Sequence, residues 1–223
     1  MKLSVIIPAF NEETTIEEIV SRLKAVKLEM EIVVVDDGST DRTPEIVDRI
    51  KGIRVIHKQN GGKGSAIREG IKVVTGEITV IQDADLEYDP NDFVTMMDAM
   101  EMENIEVVYG SRVLHDDYRI SYRRYFWGGK IVTAIANFLY GISITDEPTC
   151  YKMFRTDLLR SLNLTCNRFE FCPEVTAKVA RRKIKIVEIP ISYYPRSIEE
   201  GKKIGALDGL EAIWTLIRLR VKG

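Results

Sequence analysis

A chain of 223 residues, 45% hydrophobic and 30% charged, has the size and composition of one folded α/β domain and excludes a disordered or fibrous protein. No apolar run reaches the roughly 18 residues that cross a bilayer, the N-terminus turns polar too soon for a signal peptide, and Cys150, Cys166 and Cys172 lack the pattern of a disulfide scaffold. The net charge of −2 conceals a division: residues 1–111 balance at −10 and residues 112–223 at +8, so the second half is expected to meet an anionic partner.

Residues 3–8 read as a buried strand, and residues 14–30 as a helix with Ile16, Ile19, Val20, Leu23 and Val26 on one face. Residues 32–35 are a β-branched run entering Asp36-Asp37-Gly38, after which a helix is expected to be capped near Ser39 or Thr40. A strand over 54–57, a helix over 63–75, a strand over 78–81, a helix over 91–102 and a strand over 106–110 continue the alternation. The second half is less regular. It offers an aromatic-rich helix over 122–140, a short helix over 173–182, an extended stretch over 184–193 interrupted by Pro190, and a final helix over 206–221. No repeat or linker divides the chain, so 1–223 reads as a single domain.

Alternating strands and helices predict a mostly parallel sheet with helices on both faces. Ligands of such sheets lie beyond the carboxyl ends of the strands. Polar clusters stand at those ends: Asn11-Glu12, Asp36-Asp37, Gln82-Asp83-Ala84-Asp85 and Ser111-Arg112.

Asp83 and Asp85, at i and i+2 past an apolar strand, can point to one side. Hard carboxylate oxygens suit Mg²⁺ or Mn²⁺, which often complete their coordination with substrate phosphates, and Glu87 is a candidate third oxygen. Asp36 or Asp37 can accept hydrogen bonds from a ribose or a base. Asn60-Gly61-Gly62-Lys63-Gly64-Ser65 is not a phosphate-binding P-loop, because Gly64 follows Lys63 and His57 stands where the first glycine belongs. A glycine-rich turn entering a helix can still approach a phosphate or a sugar, or serve packing alone. Neither His57 nor His115 sits in a nucleophile cluster.

Taken together, Val5-Ile6-Ile7-Pro8-Ala9-Phe10-Asn11-Glu12-Glu13, Val34-Val35-Asp36-Asp37-Gly38-Ser39-Thr40-Asp41, Asn60-Gly61-Gly62-Lys63-Gly64 and Gln82-Asp83-Ala84-Asp85 resemble the family 2 glycosyltransferases of the GT-A fold. Gly110-Ser111-Arg112, Asp146 with Thr149-Cys150-Tyr151-Lys152-Met153-Phe154, Arg168-Phe169-Glu170-Phe171, and Arg196 with Glu200-Gly201-Lys202-Lys203-Ile204 are similar to the dolichyl- or polyprenyl-phosphate sugar synthases within it.

The resemblance implies a three-layer α/β/α domain, with a nucleotide-sugar and metal half (1–111) and an acceptor half (112–223). Pro8, Ala9, Glu12, Asp36, Asp37, Lys63 and Asp83 would bind the nucleotide. Asp83, Asp85 and Glu87 would hold Mg²⁺ or Mn²⁺. Asp85, Arg112 and Arg196 would carry catalysis, and Arg112, Arg123, Arg124 and Lys202 would receive the acceptor. Gly128 stands where several lipid-phosphate synthases have a serine, and Cys172 where similar proteins often have a glutamate.

The implied partners are a nucleotide-sugar donor and a lipid-phosphate acceptor, with no nucleic acid. The expected setting is cytoplasmic, peripheral to an anionic membrane surface. A hydroxyl acceptor would instead need a base, with Glu170, Glu174 or Asp146 as candidates. A nucleotidyltransferase is the rival enzyme, although Pro8-Ala9-Phe10-Asn11-Glu12 occupies the place of its glycine- and arginine-rich loop. A non-catalytic nucleotide-sugar binder is the third reading.

Overall fold

The structure is a computed structural model that describes residues 1–115, 123–196 and 205–221. The element order is β1 (Leu3–Ala9), α1 (Ile16–Ala25), β2 (Met30–Asp36), α2 (Thr43–Arg49), β3 (Arg54–His57), α3 (Lys63–Val73), β4 (Ile78–Ile81), α4 (Asp92–Glu101) and β5 (Val107–Ser111). There follow α5 (Arg123–Tyr140), β6 (Lys152–Arg155), α6 (Thr156–Ser161), α7 (Phe171–Arg181), β7 (Ile186–Pro190) and α8 (Ala206–Val221).

One sheet in the order β3-β2-β1-β4-β6-β5-β7 organises the chain. β6 runs antiparallel to both neighbours, β4 and β5, while the other pairings are parallel. Because both faces are covered, the inner strands are apolar on successive residues. Leu3, Val5 and Ile7 of β1 pack with α1, α2 and α4, whereas Ile6 packs with α3, α6 and α7. α5 and α8 do not lie on the sheet. They rest on α7 through Val132, Ala136, Ala177 and Leu216, adding a tier to the expected three layers.

Several boundaries differ from expectation for local reasons. The first helix ends at Ala25, since Val26 is already extended (ψ 134°) and the chain turns to reach β2. The second begins at Thr43 rather than at Ser39 or Thr40. The Asp41 carboxylate accepts the Thr43 N–H (2.9 Å), while the Ser39 hydroxyl and the Thr40 N–H bond to Asn11 instead. Strand β6 was not expected. Its first residue, Lys152, is fully buried, with Nζ donating to the Glu147 and Thr149 carbonyls (2.6 Å each) and lying 4.3 Å from the centre of the Tyr109 ring. No helix among the described residues is long and apolar enough to cross a membrane.

Candidate active site

The carboxyl ends of β1, β2 and β4 are knitted together by their own loops. Pro8 and Ala9 sit in register with Val35 and Asp36, and the Asp37 N–H donates to the Ala9 carbonyl (2.8 Å). The Glu12 N–H donates to the Thr43 hydroxyl (2.9 Å).

Asp36 and Asp37 are buried, and the partners of both lie in the chain. Asp36 accepts the Ser39 N–H and faces Nδ1 of His57 (3.0 Å), whose other ring nitrogen faces Asp48. Asp37 pairs with Lys58 and accepts the Gly61 and Gly62 N–H groups (3.0 and 2.6 Å). Both carboxylates therefore order the loop over 57–62.

That loop enters α3 at Gly62, in the left-handed region (φ 92°). The Gly64 and Ser65 N–H groups donate to the carbonyls of Arg168 and Asn167 (2.9 Å each). A Cβ on Gly62 would stand 2.6 Å from the Asn167 oxygen, and one on Gly64 would stand 2.9 Å from that of Arg168. The glycines thus admit a second stretch of backbone, and the first donors of α3 are already taken. Lys63 itself turns inward, 2.5 Å from Asp83 Oδ1 and 2.9 Å from Cys150 Sγ. Burial opposes ionisation of Asp83, but the Lys63 ammonium overrides it and leaves the carboxyl below its usual range.

The turn after β4 carries the acidic pair. Leu86 adopts φ 62°, a conformation that a branched side chain rarely takes and that is tolerated where the surroundings impose it. The fully buried Gln82 steadies the turn: its Nε2 donates to the Asp83 carbonyl (3.0 Å) and its Oε1 accepts the Tyr151 hydroxyl (2.6 Å). Asp85 Oδ1 accepts the Glu87 N–H (3.1 Å). Burial, then the charges of Asp83 and Glu87, push the Asp85 carboxyl up to about 7.

Glu87, expected as a third metal oxygen, faces the strap that follows β7. Its carboxylate accepts the Arg196 N–H (2.8 Å) and the Tyr193 hydroxyl (3.1 Å). Among the described residues no three His, Cys, Asp or Glu side chains gather as a metal cage. Two carboxylates without a cage suit Mg²⁺ or Mn²⁺ completed by phosphate and water, and do not suit a structural ion.

Arg112 and Arg196 stand in different company. Arg112 is tied bidentately to Asp146 and lies 5.0 Å above the Tyr193 ring. Arg196 reaches Glu12 (3.5 Å) and Asp85 (3.3 Å). The side chains of Arg123 and Arg124, and all of Lys202, lie outside the described residues. Sequence reasoning assigned no site role to Tyr88, Tyr151 or Tyr193, which form an aromatic wall beside the turn: Tyr88 stacks on Tyr151 with ring centres 4.7 Å apart and meets Tyr193 in a tilted contact at 5.4 Å. Tyr151 stands inside the Thr149–Phe154 motif, and Tyr88 and Tyr193 carry only the signal of position, next to Glu87 and three residues before Arg196.

The candidate bases for a hydroxyl acceptor are also engaged. Glu174 accepts the Thr165 and Cys166 N–H groups and pairs with Lys178 (2.7 Å). Burial opposes ionisation of Glu174 and Asp146, yet Lys178 and Arg112 respectively hold each carboxyl below its ordinary value. Glu170 accepts the Arg168 N–H (2.8 Å).

Comparison with known proteins places this arrangement. Residues 4–162 match the model of glycosyl transferase family 2. The chain is 29% identical to the low-salt glycan biosynthesis hexosyltransferase Agl6 of Haloferax volcanii over 88% of its length, and spans 49% of that protein. It is 27% identical to the undecaprenyl-phosphate mannosyltransferase of Micrococcus luteus, covering 98% of this chain and 93% of the relative. In fold it superposes on glucosyl-3-phosphoglycerate synthase from Mycobacterium tuberculosis with a TM-score of 0.76 at 23% identity, covering 99% of this chain and 80% of the other. The chain belongs to glycosyl transferase family 2 and has the GT-A fold.

Proposed function

We propose that the chain transfers a sugar from a nucleotide sugar to a polyprenyl- or dolichyl-type lipid phosphate, by one displacement with inversion at the anomeric carbon. One observation carries the choice of acceptor: of the three candidate bases, Asp146 and Glu174 are locked in internal pairs and held in the anionic form by them, and Glu170 accepts the Arg168 N–H. A carboxylate fixed against a guanidinium or an ammonium is a poor proton acceptor for a hydroxyl. A phosphate acceptor is already ionised near neutral pH and needs no base. The name of the Micrococcus luteus relative, an undecaprenyl-phosphate mannosyltransferase, supports the same reading.

Asp83 and Asp85 would hold Mg²⁺ or Mn²⁺ on the donor diphosphate, which supplies Lewis-acid stabilisation of charge on the leaving group. Structures of the Mycobacterium tuberculosis synthase contain UDP with Mn²⁺ or Mg²⁺, in line with that assignment. Lys63 keeps Asp83 anionic and fixed. Pro8, Ala9 and Glu12 border the donor side. Asp36 and Asp37 act through the 57–62 loop, which they shape, as much as by touching the nucleotide. Arg196 serves the phosphates, and Arg112 holds the 146 loop and the Tyr193 wall in place.

The acceptor's membrane would lie against α5 and α8. Trp127, Ile131 and Phe138 are 58, 53 and 88% exposed, and Leu207, Leu210, Trp214 and Val221 are 62% exposed or more. Their spacing puts one apolar stripe on each helix, with Arg218 and Arg220 at the end of α8.

The test is a product assay with UDP- and GDP-sugars, Mg²⁺ or Mn²⁺, and either polyprenyl phosphate or soluble hydroxyl acceptors. Lipid-linked sugar with release of nucleoside diphosphate is expected. Transfer to hydroxyl acceptors alone would refute the lipid reading, and pyrophosphate release would mark a nucleotidyltransferase.

A further inference from the structure

Two arginines border the acidic turn, and their geometries differ. Arg112 makes two contacts of 2.7 Å with a single carboxylate. Arg196 is stretched between two: Nη1 lies 3.5 Å from Glu12 Oε2, Nη2 lies 3.3 Å from Asp85 Oδ2, and its buried Nε has no hydrogen-bond partner among the described residues. Charge-assisted bonds in good geometry run about 2.7–2.9 Å. The first arginine is fixed, and the second is loosely held.

The backbone of Arg196 is nevertheless pinned. Its N–H donates to Glu87 Oε1 (2.8 Å), the Tyr193 hydroxyl donates to Glu87 Oε2 (3.1 Å), and the Tyr194 N–H donates to the Glu87 carbonyl (2.8 Å). The strap is therefore anchored to the acidic turn whatever the guanidinium does. On Asp85 itself, Oδ1 accepts the Glu87 N–H and Oδ2 faces Arg196. A cation that approaches Asp85 meets an oxygen that the guanidinium already addresses.

We propose that Arg196 is an exchangeable internal cation, which yields Asp85 Oδ2 to the divalent ion and then turns to the phosphate brought with that ion. This rests on the reading of Asp85 as a metal ligand. The exchange makes the two ligands interdependent: the ion alone must displace a positive charge, whereas the ion with a diphosphate gives that charge a new partner. Because the Arg196 backbone stays bound to Glu87, the released guanidinium remains within one side-chain length of the site.

Mn²⁺ binding by the full chain, read from the electron paramagnetic resonance of free Mn²⁺ without nucleotide, tests the exchange directly. Arg196→Gln is expected to bind Mn²⁺ five- to tenfold more tightly than the natural chain, and Arg196→Lys two- to threefold more tightly. Lys58→Gln removes a cation that pairs with Asp37 rather than with Asp85, and is expected to change the affinity less than twofold. At saturating Mn²⁺, UDP and GDP titrated calorimetrically should bind Arg196→Gln at least fivefold more weakly.

Unchanged or weaker Mn²⁺ binding in both Arg196 variants overturns the proposal. So does an equal gain in Lys58→Gln, which would indicate a general field rather than exchange, and so does undiminished binding of both diphosphates. Asp85→Asn separates the two levels of the argument. If it leaves Mn²⁺ binding intact, the metal reading of Asp85 fails; if it weakens binding while the Arg196 variants do not strengthen it, only the exchange fails.

Discussion

Arg112 and Asp146 close on one another at the end of β5: Nε lies 2.7 Å from Oδ2, Nη2 lies 2.7 Å from Oδ1, and the Arg112 N–H donates to Oδ2 at 3.0 Å. The pair links two distant parts of the site. Behind Asp146, Glu188 accepts the N–H groups of Thr145 and Asp146, and in front of Arg112 stands Tyr193, whose hydroxyl reaches Glu87. Removing one member leaves the other charged and buried, which typically costs about 3–5 kcal/mol. Asp146→Ala should therefore lower the urea midpoint strongly, and adding Arg112→Met should recover part of the loss. A double variant no more stable than Asp146→Ala would show that the pair is not the cause.

Asp85 is only about a fifth exposed, and its substitution removes a charge that sits among Asp83, Glu87 and Arg196. Asp85→Ala is expected to reduce transfer at least 100-fold, the order of loss when one electrostatic stabiliser is removed, while circular dichroism and melting temperature change little. Excess EDTA should abolish the activity of the natural chain, and added Mn²⁺ should restore it. Full turnover in EDTA would contradict the metal assignment.

Gly62→Ala tests the loop that enters α3. The residue is at φ 92°, and its new Cβ would stand 2.6 Å from a backbone oxygen, which cannot rotate away as a side chain can. A loss of about 1–3 kcal/mol is expected, measured by denaturant unfolding. Gly128→Ala meets nothing within 4 Å among the described residues and should cost far less than Gly62→Ala.

His57 supplies a pH signature. The hydrogen bond to Asp36, then that to Asp48, raises the ring's affinity for its proton above the ordinary value. The folded state binds that proton more tightly than the unfolded state. The stabilisation is therefore complete below about pH 6.5, the unfolded value, and fades as the pH rises through the folded value. The melting difference between the natural chain and His57→Gln should be greatest in mild acid and shrink toward alkaline pH. A difference that grows with pH would reverse this reading.

The exposed stripes of α5 and α8 predict binding to vesicles that contain anionic lipid, weakening as salt is raised. Trp214→Asp and Leu210→Asp, placed where the side chains are 62 and 64% exposed, should reduce co-sedimentation and leave the fold stable within about 0.5 kcal/mol. If vesicle binding is unaffected while a dimer dissociates in solution, these stripes form a subunit interface instead.

The strand–helix alternation, the parallel sheet and the position of every acidic cluster were legible in the sequence, because hydrophobic period and turn chemistry are local properties. The final helix over 206–221 emerged with its expected bounds for the same reason. Strand β6 escaped because it is four residues long, opens on a buried lysine and is stabilised by the neighbours on either side rather than by its own pattern.

What each charged group does was decided by tertiary structure alone. Asp37 and Lys63 stood in motifs that suggested ligand contact, and the folded chain gives each an internal partner as well: the carboxylate bonds the glycine loop and the ammonium lies against Asp83. Arg112 and Arg196 are indistinguishable as letters, but one is locked to Asp146 and the other is shared between Glu12 and Asp85. Sequence determines which groups are present and on which strand end they stand. Only the folded chain, which brings residues 12, 85 and 196 together, decides whether a charge is satisfied internally or held ready for a ligand, because electrostatic energy depends on separation and burial in space.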